Sequence, residues 1–136
     1  MKITQHHDKI SFHQLFERAR RECMGYDFNE YLQHFSDCKT IHSFIGEASY
    51  FDRPYLAVAN SWCNDEAVSI LKKCSKALFI LEFSPESELS LEEVNSLCHK
   101  LDQIFKDSET EGPDYVWTML KNESLGKTVR VYSLLG

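Results

Sequence analysis

The sequence has 136 residues, a length that fits one domain with its own hydrophobic core. Its net charge of -6 argues against nucleic acid and anionic membranes as partners, because both carry negative charge. No run approaches the roughly 20 apolar residues that span a bilayer, and the first residues lack the apolar core of a signal peptide. We therefore expect a single cytoplasmic domain over 1–136.

The N-terminal region predicts one clear helix. Ser11 and Gln14 have the spacing of a capping box, and apolar residues then recur every three or four positions. Gly25 is a typical stop for this helix. The segment "YDFNEYLQ" that follows is ambiguous between a turn and a further helix.

The next stretch predicts a second helix and then a strand. Helical spacing of apolar residues runs from Phe35 to Ile45, and Gly46 is expected to end that helix. The segment 53–61, "RPYLAVANS", is predicted to be a strand, because Pro54 stands at its start, where no ladder donor is needed.

The second half of the chain carries stronger signals. The segment "CNDEAVSILKKCSK" is predicted to be a helix that Asn64 can cap, and "KALFILEFS" is typical of a buried strand. Ser90 and Glu93 form a second capping box, which opens a long helix. A polar loop, "DSETEGPD", follows that helix. Two alternating strands, "YVWTMLKN" and "TVRVYSLL", then end the sequence and are expected to pair as a hairpin.

This order of elements predicts an α+β fold. Strands separated by a helix need a crossover connection, and the amphipathic helices need an apolar surface to cover. The predicted architecture is an α/β two-layer sandwich. It has a mixed four-stranded sheet with helices packed on one face, preceded by N-terminal helices.

Three segments give the chain a family resemblance. "FSDCKT" (35–40) is similar to F-A-D-V-[KR]-T, and "LSLEEVNSL" (89–97) is similar to D-L-x-L-x-E-V-N-x-A. "SLGKTVRVYSLLG" (124–136) is similar to D-L-G-D-E-V-R-V-T-V-I-A-T-G. With these motifs in this order, the chain resembles the C-terminal domain of FtsZ, the bacterial member of the tubulin superfamily. The first helix, within 1–26, then falls where the end of the FtsZ central helix lies.

The resemblance does not extend to a nucleotide site. FtsZ binds GTP through a Gly-rich loop of its N-terminal domain, G-G-G-T-G-[ST]-G, which cradles the phosphates. The five glycines of this chain are too far apart to form such a loop. We therefore expect neither tight nucleotide binding nor a cofactor. The glycines are Gly25, Gly46, Gly112, Gly126 and Gly136.

The resemblance also implies a degraded catalytic loop. In FtsZ, the motif N-x-D-x-x-D reaches the GTP of the neighbouring subunit and positions the attacking water. Here Leu32 stands at the asparagine position and His34 at the first aspartate, so Asp37 alone keeps its carboxylate. Asp37 also has a structural interpretation, because a carboxylate at a helix start is stabilised by about 0.3–1 kcal/mol.

Together these features predict a non-enzymatic protein-interaction module. The candidate interaction surface is formed by Phe35, Asp37, Lys39 and Thr40, and the expected partner is FtsZ or another tubulin-like protein, whose filament end the domain would cap. A homodimeric scaffold unrelated to cell division is the alternative. A third hypothesis is a small enzyme with His34 and Asp37 as an acid–base pair.

Histidines and cysteines do not predict a metal or nucleophilic site. His34 and His42 lie about two helical turns apart without an obvious third ligand, so no metal is expected. Cys98 and His99 are neighbours on a helix and point apart. The tryptophans are interpreted as core or strand-edge residues. The cysteines lack a C-x-x-C pair and are typical of reduced thiols; they are Cys23, Cys38, Cys63, Cys74 and Cys98.

Overall fold

The computed structural model describes residues 2–22, 28–106 and 114–136. The predicted helix stop at Gly25 and most of the polar loop lie outside the described residues. The elements are, in chain order, β1 (Lys2–Gln5), α1 (Phe12–Glu22), α2 (Phe28–Gln33), β2 (Thr40–Ala48), α3 (Arg53–Ser61), α4 (Asp65–Lys73), β3 (Lys76–Phe83), α5 (Leu91–Lys106), β4 (Asp114–Lys121) and β5 (Val129–Leu135).

The strands form one mixed sheet in the order β1-β2-β5-β3-β4. The pairs β1–β2 and β3–β4 are parallel, and β5 is antiparallel to both β2 and β3. The predicted α/β class with a mixed sheet is therefore confirmed, although the sheet has five strands instead of four. The expected β4–β5 hairpin is wrong. Strand β5 is almost fully buried along its length, as expected of a central strand, and it pairs with β2 and β3 instead of β4.

Both faces of the sheet are covered. Helices α3, α4 and α5 pack on one face, where Phe79 and Leu81 of β3 meet them. Helix α1 covers the other face, where Leu78 and Ile80 point. Successive side chains of a strand point to opposite faces, so a strand covered on both sides is apolar at consecutive positions. This explains the continuous apolar run of β3.

The helix predicted after Phe35 is instead strand β2. Residues four apart lie on one face of a helix, but they also lie on one face of a strand, whose period is two. Ile41 and Ile45 satisfy both patterns, and both pack into the core on the α1 side of the sheet. Pairing with β1 and β5 decides in favour of the strand.

The strand predicted over 53–61 is instead helix α3. Pro54 stands in its first turn, where a missing N–H costs nothing. The buried positions 54, 57, 58 and 61 recur every three or four residues, which is helical spacing. Helix α3 lies directly on β2 at Gly46. A Cβ atom at Gly46 would overlap the backbone of α3, at the Ala57 carbonyl oxygen and the Ser61 nitrogen.

The predicted helix caps are confirmed. The backbone N–H of Gln14 donates to Ser11 Oγ at 3.2 Å, and the N–H of Ser11 donates back to Gln14 Oε1 at 3.2 Å. Ser90 and Glu93 make the same reciprocal pair at 3.1 Å each. Asn64 accepts from the backbone N–H three residues on, at 2.7 Å. Among the described residues, none of the helices has the length and apolarity needed to cross a bilayer.

Candidate functional site

The segment 34–40, which carries the predicted interaction surface, is a turn between α2 and β2. The N–H of Phe35 donates to the Leu32 carbonyl, and the N–H of Cys38 donates to the Phe35 carbonyl, each at 2.9 Å. Asp37 lies in this turn, and a strand follows it. Its carboxylate therefore lies after a helix C-terminus, so the predicted stabilisation by a helix N-terminal dipole is wrong.

Phe35 belongs to the core and not to the surface. Its side chain is 0% exposed and packs with the residues under α1. The last residue of the chain, Gly136, lies so close that a Cβ there would come within 3.0 Å of the Phe35 ring. Of the predicted surface residues, Asp37 and Lys39 are exposed and Thr40 is half-buried. The surface is therefore reduced to these three side chains.

His34 connects the turn to β4, the edge strand at the other end of the sheet from β1. Its Nε2 is 2.9 Å from the backbone carbonyl oxygen of Asp114, so Nε2 carries the proton and donates. Leu32 packs against the core. An acid–base pair of His34 and Asp37 gains no support, because no hydrogen bond or ion pair joins the two side chains among the described residues, and the contact of His34 is with the Asp114 carbonyl. The helix that was expected to follow the acidic-loop positions is also absent, because strand β2 begins there.

The opposite end of β2 carries a feature that the sequence reasoning missed. Residues 49–52, here called the aromatic loop, join β2 to α3 and expose Tyr50 by 84% and Phe51 by 90%. Beside the loop is a cleft of about 440 Å³, bounded also by the start of α5 and by Lys127. The sequence signal was "SYFDRP", two aromatic residues between polar ones. It was overlooked because the next segment was predicted to be a strand.

A mostly buried ion pair forms the base of the cleft. Arg53 donates from Nε to Glu93 Oε2 and from Nη2 to Glu93 Oε1, at 2.8 Å each, a bidentate geometry. Its Nη1 donates to Ser87 Oγ at 2.8 Å and to the Lys127 carbonyl at 2.9 Å. The hydrogen bond with Arg53 lowers the pKa of Glu93 to about 2, and the hydrogen bond with Glu93 raises the pKa of Arg53. Both groups therefore stay ionised near neutral pH.

The aromatic loop ends at a residue in an unusual backbone conformation. Asp52 has φ 59° and ψ 39°, in the left-handed region that aspartate tolerates better than most residues. Its carboxylate pairs with the Lys100 ammonium, and its carbonyl accepts from the N–H of Leu56 at 3.0 Å. Lys100 also lies over the ring of Tyr55, 4.4 Å from the centroid. These contacts attach the end of the loop to α3 and α5.

Most charged side chains of the cleft are paired with one another. At the base of the cleft, Arg53 forms an ion pair with Glu93, and Lys100 forms one with Asp52. Oppositely charged Glu92 and Lys127 remain on its lining, and neither has an ion-pair partner among the described residues. The described lining residues thus form a charge-balanced cleft with an aromatic edge.

Two histidines near the N-terminus pack against β2. His6 Nε2 and His42 Nδ1 are 3.0 Å apart, and His7 Nε2 lies 2.8 Å from Ser43 Oγ. Burial lowers the pKa of both His7 and His42. His42 is therefore paired with His6 and not with His34. In the parts of the chain that the structure describes, no group of three or more His, Cys, Asp or Glu residues is arranged to hold a metal ion.

Glu82 is a charged residue within the apolar strand β3. Its side chain is fully buried, and its Oε2 accepts from Arg18 Nη1 at 2.6 Å and from Asn122 Nδ2 at 2.7 Å. Arg18 also donates to the Lys121 carbonyl at 2.6 Å. This network attaches α1 to the sheet, so we assign Glu82 a structural role.

The fold is similar to that of solved FtsZ and CetZ structures. No protein-family model and no curated protein matches the sequence. Solved structures do match. An FtsZ dimer from M. jannaschii superposes with a TM-score of 0.61 and 19% identity, over 84% of this chain and 32% of the FtsZ chain. The W319Y mutant of M. jannaschii FtsZ gives 0.60 and 19%, over 82% and 32%.

A CetZ protein from Methanosaeta thermophila gives a TM-score of 0.57 and 16% identity, over 90% of this chain and 34% of CetZ. The chain thus spans about a third of the length of each of these proteins. At such low identities the similarity concerns the fold alone. The motifs at 35–40, 89–97 and 124–136 resemble those of the C-terminal domain of FtsZ. The described residues therefore have the fold of an FtsZ- and CetZ-like domain.

Proposed function

We propose that this domain is a non-enzymatic protein-interaction module that binds FtsZ or another tubulin-like protein and limits filament growth. The observation that carries the proposal is the fold shared with FtsZ over 84% of the chain. In the FtsZ family, the C-terminal domain presents the surface that meets the nucleotide face of the next subunit. A domain of the same fold can occupy that face in place of a subunit.

The proposed contact surface is the exposed part of the 34–40 turn. Asp37 and Lys39 offer one negative and one positive charge to a partner, next to the half-buried Thr40. The turn is well supported, because Phe35 anchors it in the core and the Lys39 carbonyl accepts from the N–H of Lys2 at 2.8 Å. Charged groups on a supported turn suit selective recognition of a partner.

The same turn supports a role without hydrolysis. The acidic loop of the family supplies two carboxylates, whereas this turn exposes one, that of Asp37. Leucine offers no hydrogen bond to a water molecule, and the histidine proton is engaged with a backbone carbonyl. The bound domain would therefore cap a filament without promoting turnover of the GTP at its end.

Sedimentation of the source organism's own FtsZ with GTP tests this proposal. With equimolar domain present, we expect less pelleted polymer, or domain that pellets together with FtsZ, and no rise in GTP turnover per polymerised subunit. Unchanged polymer together with a domain that stays in the supernatant would overturn the proposal.

A charge-exchanged variant tests the surface. The double substitution Asp37→Lys with Lys39→Asp keeps the net charge and should abolish the effect on FtsZ polymer. The matched control, Lys121→Glu with Glu123→Lys, exchanges exposed charges on and just after β4 and should leave the effect intact. Equal behaviour of the two variants would place the contact elsewhere.

A further inference from the structure

We infer that the aromatic loop and its cleft form a self-complementary surface through which two copies of this chain pair about a twofold axis. Each copy inserts Tyr50 and Phe51 into the cleft of the other. The inference does not depend on the proposed function, because this surface lies at the opposite end of β2 from the 34–40 turn.

The exposed aromatic pair is the first step of the argument. Tyr50 and Phe51 are neighbours in the sequence, and their large side chains are 84% and 90% exposed. Single apolar residues at a surface need no explanation, but neighbouring aromatic side chains are typical anchors of protein interfaces. The cleft of about 440 Å³ beside them is a concave surface of the size that can enclose such side chains.

The second step is that both ends of the loop are bonded to the rest of the domain. Asp52 at its end is held by Lys100, and the following residue, Arg53, is held by Glu93 and Ser87. At its beginning, Ser49 Oγ is 2.9 Å from Thr128 Oγ1. The exposed rings are therefore presented from a loop that is bonded at both ends.

The third step is the charge on the cleft, which is complementary between two copies of the chain. Glu92 and Lys127 carry opposite charges and line the same cleft. In a twofold dimer, a residue of one copy meets a different residue of its partner, and the contact occurs twice. Glu92 of each copy can thus pair with Lys127 of the other. A nucleic acid would need an excess of positive charge, which this cleft does not have.

The expected contact area is comparable with that of known interfaces. A buried aromatic residue removes about 150–250 Å² from solvent, so the two rings of each copy contribute about 300–500 Å². The cleft of each copy is buried in addition, because it covers the rings of the partner. A stable interface buries about 800 Å² per partner, so the rings and the cleft together account for most of the area that a dimer needs.

Sedimentation velocity over a range of protein concentrations tests the inference. The wild type should shift from monomer to dimer as the concentration rises. Phe51→Ser should weaken self-association by about tenfold or more. Ile104→Ser is the matched control, because Ile104 is also an exposed apolar residue, at 39%, but does not line the cleft. It should leave the dimer unchanged. Circular dichroism checks that both variants are folded.

Charge reversal tests the pairing itself. Glu92→Lys and Lys127→Glu should each weaken the homodimer, because like charges then meet twice. A mixture of the two variants should form a heterodimer close to wild-type strength, since opposite charges then meet at both contacts. A wild type that stays monomeric at all concentrations would overturn the inference. So would a dimer unaffected by Phe51→Ser, or a mixture no stronger than the single variants.

Discussion

Phe35 and Phe51 lie beyond opposite ends of β2, and they have opposite roles. Phe35 was predicted to face a partner, yet it is completely buried. Phe51 carried no prediction, yet it is 90% exposed. Each is an aromatic residue just outside a strand, so local sequence does not separate them. What separates them is the position of each turn relative to the sheet: the 34–40 turn folds onto the face covered by α1, whereas the aromatic loop projects beyond the sheet.

The largest expected effect comes from removing each ring in turn. Phe35→Ala should lower the free energy of unfolding by about 3–5 kcal/mol, because it leaves a cavity in the core. Phe51→Ala should change it by less than about 0.5 kcal/mol, because the ring contributes little to the folded core. Urea unfolding of the two variants measures both values. Similar losses would contradict the comparison.

Breaking the ion pair at the base of the cleft should have the next largest effect. Arg53→Met leaves Glu93 and the neighbouring acceptors without their donor, and should cost about 3 kcal/mol of unfolding free energy. The double substitution Arg53→Met with Glu93→Leu removes both charges and should recover part of that loss. Urea unfolding of the single and double variants checks this. A double variant less stable than the single one would show that the pair is not the main contribution.

Acid should weaken this end of β2 through the same pair. The pKa of Glu93 is lowered from its ordinary value of 4.5 to about 2. A lowered carboxyl pKa means that its stabilisation is complete above about pH 4.5 and is lost as the pH falls toward 2. We expect a loss on the order of 2 kcal/mol over that interval. Melting temperatures of wild type and Glu93→Gln measure it, and the variant should show the smaller acid dependence.

The smallest expected effect belongs to the first half of β2. Burial, aided by His6, lowers the pKa of His42, whose other charged neighbours are Glu66 and Lys2. A lowered histidine pKa means that stability is greatest above about pH 6.5 and falls as the pH decreases below it. His42→Gln should reduce the loss of stability between pH 7 and pH 5.

The matched control for that loss is His99→Gln, at an exposed position on α5, which should leave it unchanged. Melting temperatures of the wild type and both variants at the two pH values provide the measurement. An equal effect of the two substitutions would exclude His42 as the source.

Sequence predicted the parts of this fold that depend on local chemistry. The capping residues Ser11, Asn64 and Ser90 need only their neighbours along the chain, and all three cap as predicted. The run of β3 was also recognised, because it is apolar on both faces. The prediction failed for β2 and α3, where the periodicity was ambiguous and tertiary pairing decided the outcome.

The candidate sites illustrate the same limit. The residues of the 34–40 turn were chosen from the resemblance alone, and Phe35 is buried against residues that are distant in sequence, among them Leu78, Ile80 and Leu134. The cleft joins residues 49–53 to Glu93 and Lys127, which come together only once β2, α3, α5 and β5 are assembled. No pattern of nearby residues reports such an arrangement.

Gly46 has a consequence for how the aromatic loop engages any partner. Because no side chain separates β2 from α3 there, the two elements meet backbone to backbone, and the aromatic loop joins two elements that are in direct contact. A loop that is bonded at both ends loses less conformational entropy when it is captured, so more of the contact energy remains as affinity. Binding should then be fast, without a reordering step, and variants of the loop should differ mainly in their dissociation rates.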